Sequence, residues 1–172
     1  MREILFKAKL KDWKTNPQQN KWVEGYYLSK KETTYCFAED YEKFPVKTLH
    51  YIAVDSMTDW GLPNEFRCYE IDPDTLCQYT GLTDKKENKI WENDICNRNE
   101  KFYEIVKCIQ GDYVLDYSYG LGKEEGSSYC NLGFYVCERG SVEVIGNIFD
   151  NPELLKSEFY QLKVDIDDKS GH

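Results

Sequence analysis

The stretch CQYTGLTDKKENKIWENDIC, residues 77–96, decides the fold of the second half of the chain. Gly81 lacks a Cβ and therefore predicts a turn with a positive φ. The polar segment that follows predicts a second turn, in which Asn88 can adopt the left-handed conformation. Apolar residues resume at Ile90, and a bend at 92–94 reverses the chain into the next strand. Every part of the stretch has an explanation in folding, and none requires a substrate.

Apolar residues on either side of this stretch recur with a period of two, which is typical of strands. The segment 2–10 places its apolar residues on one face and its lysines on the other. From 82 to 150, short strand-like segments, LGFYVCE at 132–138 among them, alternate with turns and predict a small barrel or a rolled sheet. Asn151 and Pro152 predict the start of a helix, because Asn caps helices and Pro fits the first helical position.

The chain has 172 residues, which suits one domain or two small ones. The predicted fold is mostly β, and α+β at most. Its predicted segments are an N-terminal β-rich region at 1–76, a compact barrel at 77–150, a C-terminal helix at 151–163 and an acidic tail at 164–172.

The negative charge of the chain lies mainly in its second half. The net charge is −9, and residues 81–172 contribute −7 of it, from 11 basic and 18 acidic residues. Such a field repels phosphate and argues against non-specific nucleic-acid binding, while it leaves a basic protein as a partner. No apolar run approaches the ~20 residues of a membrane span, and the first residues lack the pattern of a secretory signal. We therefore expect a cytoplasmic protein without a membrane partner.

The residue types that carry most enzyme chemistry are sparse in this chain. His50 lies in an apolar strand-like segment, where a histidine with structural neighbours is the commoner case, and His172 is the last residue. The seven cysteines are scattered, and no pair has the Cys-x-x-Cys spacing of a zinc or redox site. The loop GLGKEEG, residues 120–126, lacks the strand–loop–helix context of a phosphate-binding loop. We expect no catalytic residue, no cofactor and no metal site, although spacing alone leaves a carboxylate pair among the 31 acidic residues open.

Three blocks of sequence point to a known family. The chain opens with MREILFKAKLKDW, its middle carries QYTGLTD followed by IWENDIC, and it closes with VIGNIFDNPELL at 144–155. These blocks resemble the YopX family, small proteins encoded largely by phages and prophages. The family places glycines at two turn positions that are Glu87 and Asn93 here. In both turns an asparagine, which tolerates left-handed geometry, stands at that position or beside it.

The resemblance implies a mostly-β protein with an SH3-like β-barrel in its second half, which self-associates and has no established enzyme activity. We assign a structural role to the residues of the family signature, of which Leu82 and Ile90 are expected to be buried. The signature residues are Gln78, Tyr79, Gly81, Leu82, Ile90, Trp91, Asp94, Gly146 and Asn147.

Three classes of function fit the sequence to different degrees. The first is a non-catalytic phage or prophage accessory protein that binds a host or phage macromolecule. The second is a small-ligand binding protein, for instance a sponge for a nucleotide or signalling molecule in counter-defence, which the aromatic content of 15% and the basic segment KAKLK support. A deep pocket lined by Tyr or Trp with convergent Lys or Arg would favour it. An enzyme with a carboxylate or cysteine site has the least support.

Overall fold

The computed structural model describes residues 3–100 and 102–155, and these residues form eleven strands. The paired strands are antiparallel throughout the described part of the chain, which confirms the predicted mostly-β fold. The chain divides into two compact units, Met1–Gln78 and Tyr79–His172. The division falls inside a strand, so no separate linker joins the units.

The first unit is built on antiparallel strands. They are β1 (Phe6–Lys9), β2 (Trp22–Lys31), β3 (Thr48–Ser56), β4 (Glu65–Glu70) and β5 (Cys77–Thr83), the last of which continues into the second unit. The strands lie in the order β4-β3-β2-β1-β5. Within the described residues, β4 therefore forms an edge of the sheet.

Short helical turns connect the strands of the first unit. Two 3-10 turns, Pro17–Gln19 and Pro73–Thr75, each begin with Pro after a capping residue. The side chains of these caps, Asn16 and Asp72, accept a hydrogen bond from a backbone N–H two residues further on. A six-residue helix, α1 (Ala38–Lys43), connects β2 to β3. Proline and a capping side chain thus define where each 3-10 turn starts.

The core of the first unit lies on one face of its sheet. Ala8, Ile52 and Ile71 are buried there. The partly buried residues that pack against them are Phe6, Val23, Tyr27, Val54 and Leu76. The period-two pattern of the sequence therefore identifies this face.

The second unit begins with the remainder of β5, which pairs with β6. The strands that follow are β6 (Lys89–Trp91), β7 (Asp94–Asn97), β8 (Glu104–Ile109), β9 (Asp112–Asp116), β10 (Tyr129–Asn131) and β11 (Glu143–Asn147). Five of them form an antiparallel sheet in the order β10-β9-β8-β7-β11. Its core consists of Ile90, Cys96, Val106, Leu115, Leu132 and Val142.

The predicted SH3-like barrel does not close among the described residues, because the five strands form an open sheet with β10 and β11 at its edges. The segment 132–138, predicted as a strand, instead contains a π-helical turn at Phe134–Glu138. Asn131 starts this turn, since its Oδ1 accepts a hydrogen bond from the backbone N–H of Phe134 at 2.8 Å. Tyr135 then packs against the core from the turn. A helical turn thus replaces most of the strand predicted at 132–138.

The predicted C-terminal helix is described only at its start. Residues 153–155 are helical, and the backbone N–H of Leu154 donates to the carbonyl oxygen of Asn151 at 3.1 Å. The rest of the predicted helix and the predicted acidic tail, 156–172, lie outside the described residues.

Candidate functional site

Asp84 organises the turn between β5 and β6. Its side chain is buried, and its Oδ1 accepts hydrogen bonds from the backbone N–H groups of Lys86 at 2.8 Å and Asn88 at 2.9 Å. Its Oδ2 accepts from the backbone N–H of Val144 in β11 at 3.0 Å and from Asn88 Nδ2 at 3.2 Å. Burial raises the pKa of Asp84, but the hydrogen bonds from Val144, Asn88 and Lys86 outweigh it and hold the pKa below its ordinary value.

Asp84 ends the QYTGLTD block, yet it is missing from the residues that we singled out in the sequence. A carboxylate directly before a polar turn is the signal that could have identified it, because Asp side chains accept hydrogen bonds from backbone N–H groups further along such a turn. The contact with Val144 lies 60 residues away in the chain and has no local signal.

Gly81 has a φ of +82°. The pairing register between β5 and β6 shifts between Tyr79 and Thr83, so the glycine lies at an irregularity of the ladder. Beside it, Thr80 Oγ1 donates to the carbonyl oxygen of Ile90 at 2.7 Å. Leu82 is half-buried and packs against the core of the second unit, so its burial is weaker than expected from the sequence.

The left-handed residue of the β5–β6 turn is Glu87, with a φ of +67°. This corrects the prediction for Asn88, which instead uses its backbone and side-chain N–H groups to bind Asp84. In the next turn Asn93 also has a φ of +67°, as expected for a position where the family carries glycine. Asp94 Oδ2 accepts a hydrogen bond from the backbone N–H of Trp91 at 2.8 Å and so closes this second turn.

The remaining signature residues lie in strands or at strand ends. Gln78 pairs with Phe6 of β1, and the rings of Tyr79 and Trp91 are 5.3 Å apart across β5 and β6. At Gly146, an added Cβ would come within 2.5 Å of the Asn151 side chain. Asn147 Oδ1 accepts from the backbone N–H groups of residues 149 and 150. The structural role of the signature stays a prediction until the stability of variants is measured.

A cleft of about 280 Å³ lies in the second unit and contains a buried ion pair. Arg98 donates to Glu104 from Nε and Nη2, each at 2.5 Å, and the two side chains are 7% and 2% exposed. The guanidinium carbon of Arg98 also lies 3.7 Å from the centre of the Tyr135 ring. Residues that line this Arg98 cleft include Arg98, Glu100, Phe102, Glu104, Tyr117 and Tyr135.

The ion pair determines the electrostatics of the Arg98 cleft. The hydrogen bonds to Glu104 raise the pKa of Arg98 above its ordinary value. Burial raises the pKa of Glu104, and the hydrogen bonds and positive charge of Arg98 offset part of that rise. Removal of either partner would leave an uncompensated charge in the protein interior, which is strongly destabilising.

The sequence as a whole identifies the family. The family profile described as "YopX protein" matches residues 13–156, which is most of the chain. The chain belongs to the YopX family. A search of curated proteins found no match. The matched range contains the middle and closing blocks completely, and the opening block of this YopX member lies before it except for Trp13.

This YopX family member exposes apolar side chains mainly on its first unit. Of the thirteen large exposed hydrophobic residues within the described chain, ten lie in the first unit, so that unit is the better candidate for a contact surface. Part of this exposed set lies on one sheet face of β2, β3 and β4, opposite the core. We call Tyr26, Leu28, Tyr51, Phe66 and Cys68 the aromatic face.

Four residues of the aromatic face are exposed, and Tyr51 is half-buried. Leu28 lies opposite Tyr51, and Cys68 lies opposite the small residue Ala53, so the side chains share one surface. Phe66 is 65% exposed, and its ring contacts that of Tyr26 edge-to-face, with centres 6.0 Å apart.

The groups that sequence reasoning considered for chemistry have structural neighbours. His50 Nδ1 lies 2.7 Å from the Tyr27 hydroxyl, and the two rings stack. All seven cysteines have free thiols. Residues 3–100 and 102–155 contain no group of three or more His, Cys, Asp or Glu side chains placed to hold a metal ion. No helix in these same ranges is long and apolar enough to cross a membrane.

Proposed function

We propose that this YopX family protein is a non-catalytic accessory protein of a phage or prophage, which binds a macromolecule in the cytoplasm of the bacterial host. The observation that supports this proposal is the aromatic face, since contiguous exposed apolar side chains on a soluble domain mark contact surfaces. Phe66 alone leaves nearly two-thirds of its surface in water. Burial of such side chains stabilises a complex by roughly 25 cal/mol per Å² of apolar surface.

The first partner of the aromatic face is a second copy of the chain. β4 is an edge strand, and its outward backbone N–H and C=O groups can pair with another strand. The face continues onto this edge through Phe66 and Cys68. A strand added at β4 would therefore gain both backbone hydrogen bonds and apolar contact.

Sedimentation velocity across a concentration series tests this proposal. The wild-type chain should form an oligomer, and Phe66→Lys should shift it to the monomer, because the charge lies in the middle of the contact. Phe37→Lys is the matched control, since Phe37 is 71% exposed but lies beside α1. A wild-type chain that stays monomeric, or a Phe37→Lys variant that dissociates as fully as Phe66→Lys, would contradict the assignment.

The second candidate function is small-ligand binding at the Arg98 cleft, as in a sponge that sequesters a signalling molecule. The observation that favours it is the combination of a concave site with the rings of Tyr117 and Tyr135 beside Arg98. Equilibrium dialysis against a panel of nucleotides tests it. Nucleotide binding that is abolished by Tyr117→Ala would support the small-ligand function. If the protein retains none of the nucleotides, that function is ruled out.

A further inference from the structure

The charged groups of the Arg98 cleft do not favour phosphate, so the small-ligand candidate depends on the aromatic rings of the cleft. Arg98 already donates through Nε and Nη2 to Glu104, and one face of its guanidinium lies over Tyr135. Arginine recognises phosphate by the same two-pronged donation, which is taken up here. A phosphate in the cleft would also approach the carboxylates of Glu100 and Glu104.

We propose that the Arg98 cleft binds the guanidinium group of an arginine residue presented by a basic partner protein. This inference deepens the proposed binding function and gives it a second contact, on the second unit, that does not depend on the aromatic face.

The charge of the cleft supports a cation. Three charged groups line it, Arg98, Glu100 and Glu104, and together they carry a charge of −1 at neutral pH. Among the described residues that line the cleft, Arg98 and Glu104 neutralise each other, so the net charge comes from the exposed carboxylate of Glu100. The second half of the chain carries −7 and would steer a basic segment towards this unit.

The rings of the cleft favour arginine over lysine. Phe102, Tyr117 and Tyr135 line it, and the planar guanidinium group stacks on aromatic faces whereas the ammonium group of lysine is a compact, strongly hydrated charge. The cleft already contains one such contact, between Arg98 and Tyr135. A second guanidinium would find both a ring face and a carboxylate within the same site.

The size of the cleft fits one side chain. Its volume of about 280 Å³ lies just below the range of ligand pockets, about 300 to 1,000 Å³. A dinucleotide would extend beyond such a site. An arginine side chain can enter it while the backbone that carries it remains outside.

Isothermal titration calorimetry of the full chain tests the proposal with three short peptides. The probes are acetylated, amidated Gly-Arg-Gly, the same peptide with the neutral isostere citrulline, and the same peptide with lysine. We expect the arginine peptide to bind, and the citrulline peptide to bind at least about ten-fold more weakly, since ~1.4 kcal/mol of lost charge interaction corresponds to that ratio. The lysine peptide should bind with intermediate affinity.

Two variants locate the site. Glu100→Gln should weaken the arginine peptide roughly five-fold, because it removes the free carboxylate and keeps the shape of the side chain. Glu124→Gln is the matched control, an exposed acid of the same unit that should leave the affinity unchanged. Both residues are exposed, so melting temperatures should stay at the wild-type value.

Equal binding of the citrulline and arginine peptides would overturn the proposal, as would an arginine peptide that does not bind or an equal loss in both variants. Tighter binding of adenosine monophosphate than of the arginine peptide would replace it with the small-ligand function. Because the peptides do not engage the aromatic face, their failure leaves the oligomer test of the proposed function intact.

Discussion

At the scale of single residues, backbone geometry and buried hydrogen bonds hold the turn between β5 and β6. Glu87 adopts a left-handed conformation that costs a residue with a side chain roughly 1–2 kcal/mol. The Asp84 carboxylate accepts four hydrogen bonds, all from groups of the second unit. Both features can be tested by substitutions that leave the rest of the chain unchanged.

Glu87→Gly should stabilise the protein. Glycine adopts the left-handed conformation without steric cost, and its greater freedom in the unfolded chain offsets part of the gain, so we expect an increase of about 0.5–1 kcal/mol in the free energy of unfolding. Urea denaturation measures it. Asn88→Gly is the control and should destabilise, because it removes the side-chain hydrogen bond to Asp84. The opposite ranking would place the left-handed residue at 88.

Asp84→Asn should destabilise by about 1–3 kcal/mol at neutral pH, because an amide cannot accept all the hydrogen bonds of the carboxylate. The folded-state pKa of Asp84 lies below its ordinary value of 3.8. The stability that the charged form contributes is therefore complete above pH 3.8 and is lost as the pH falls through the folded-state pKa.

The difference in unfolding free energy between wild type and Asp84→Asn should accordingly stay constant from neutral pH down to about pH 5 and shrink below pH 4. Asp112→Asn, which changes an exposed aspartate of the same unit, is the control and should leave the free energy of unfolding at neutral pH unchanged. A difference that grows on acidification would contradict the direction of the pKa shift.

At the scale of elements, burial ranks the effect of core substitutions. Ile90 in β6 is fully buried in the core of the second unit, whereas Leu82 in β5 is half-buried. Ile90→Ala should lower the free energy of unfolding by about 2–5 kcal/mol. Leu82→Ala should lower it clearly less, because the half-buried Leu82 leaves a cavity that is open to solvent on one side. Lys85→Ala should change the free energy of unfolding by no more than about 1 kcal/mol, since the ion pair of Lys85 with Glu143 is on the surface. Thermal melts of the three variants would reject the ranking if Leu82→Ala equalled Ile90→Ala.

Sequence patterns predict these elements where one face of a strand is buried and the other is not. The segment 132–138 violates that condition, since its apolar residues 134–137 run consecutively with no polar position between them. The capping Asn131 then favours the helical turn. The Arg98–Glu104 ion pair was not predicted, for another reason. Arg98 directly follows β7 and Glu104 begins β8, and only the register of these two strands brings the residues together.

At the scale of the whole molecule, each unit presents a surface of different chemistry. The first unit carries the aromatic face, and the second carries most of the negative charge together with the Arg98 cleft. Apolar contact is little affected by salt, whereas attraction between exposed charges is screened within about 10 Å at 0.1 M ionic strength. The two proposed contacts should therefore respond differently to salt.

Raising the salt concentration from about 50 mM to about 500 mM should weaken binding of the arginine peptide several-fold and leave the oligomer intact. Calorimetry and sedimentation velocity on the same samples measure both. Dissociation of the oligomer with salt would show that charge, rather than the aromatic face, holds the copies together.

The contact between Asp84 and Val144 has a consequence for the order in which the chain is synthesised. The hydrogen bond to the Asp84 carboxylate can form only after Val144 has been synthesised, 60 residues later in the chain. A nascent chain stalled before residue 144 should therefore present an incomplete β5–β6 turn to a protease, and one released past β11 should resist cleavage there. The residue pairs that join the strands of the first unit all lie between residues 6 and 78, so they can form before β11 is translated.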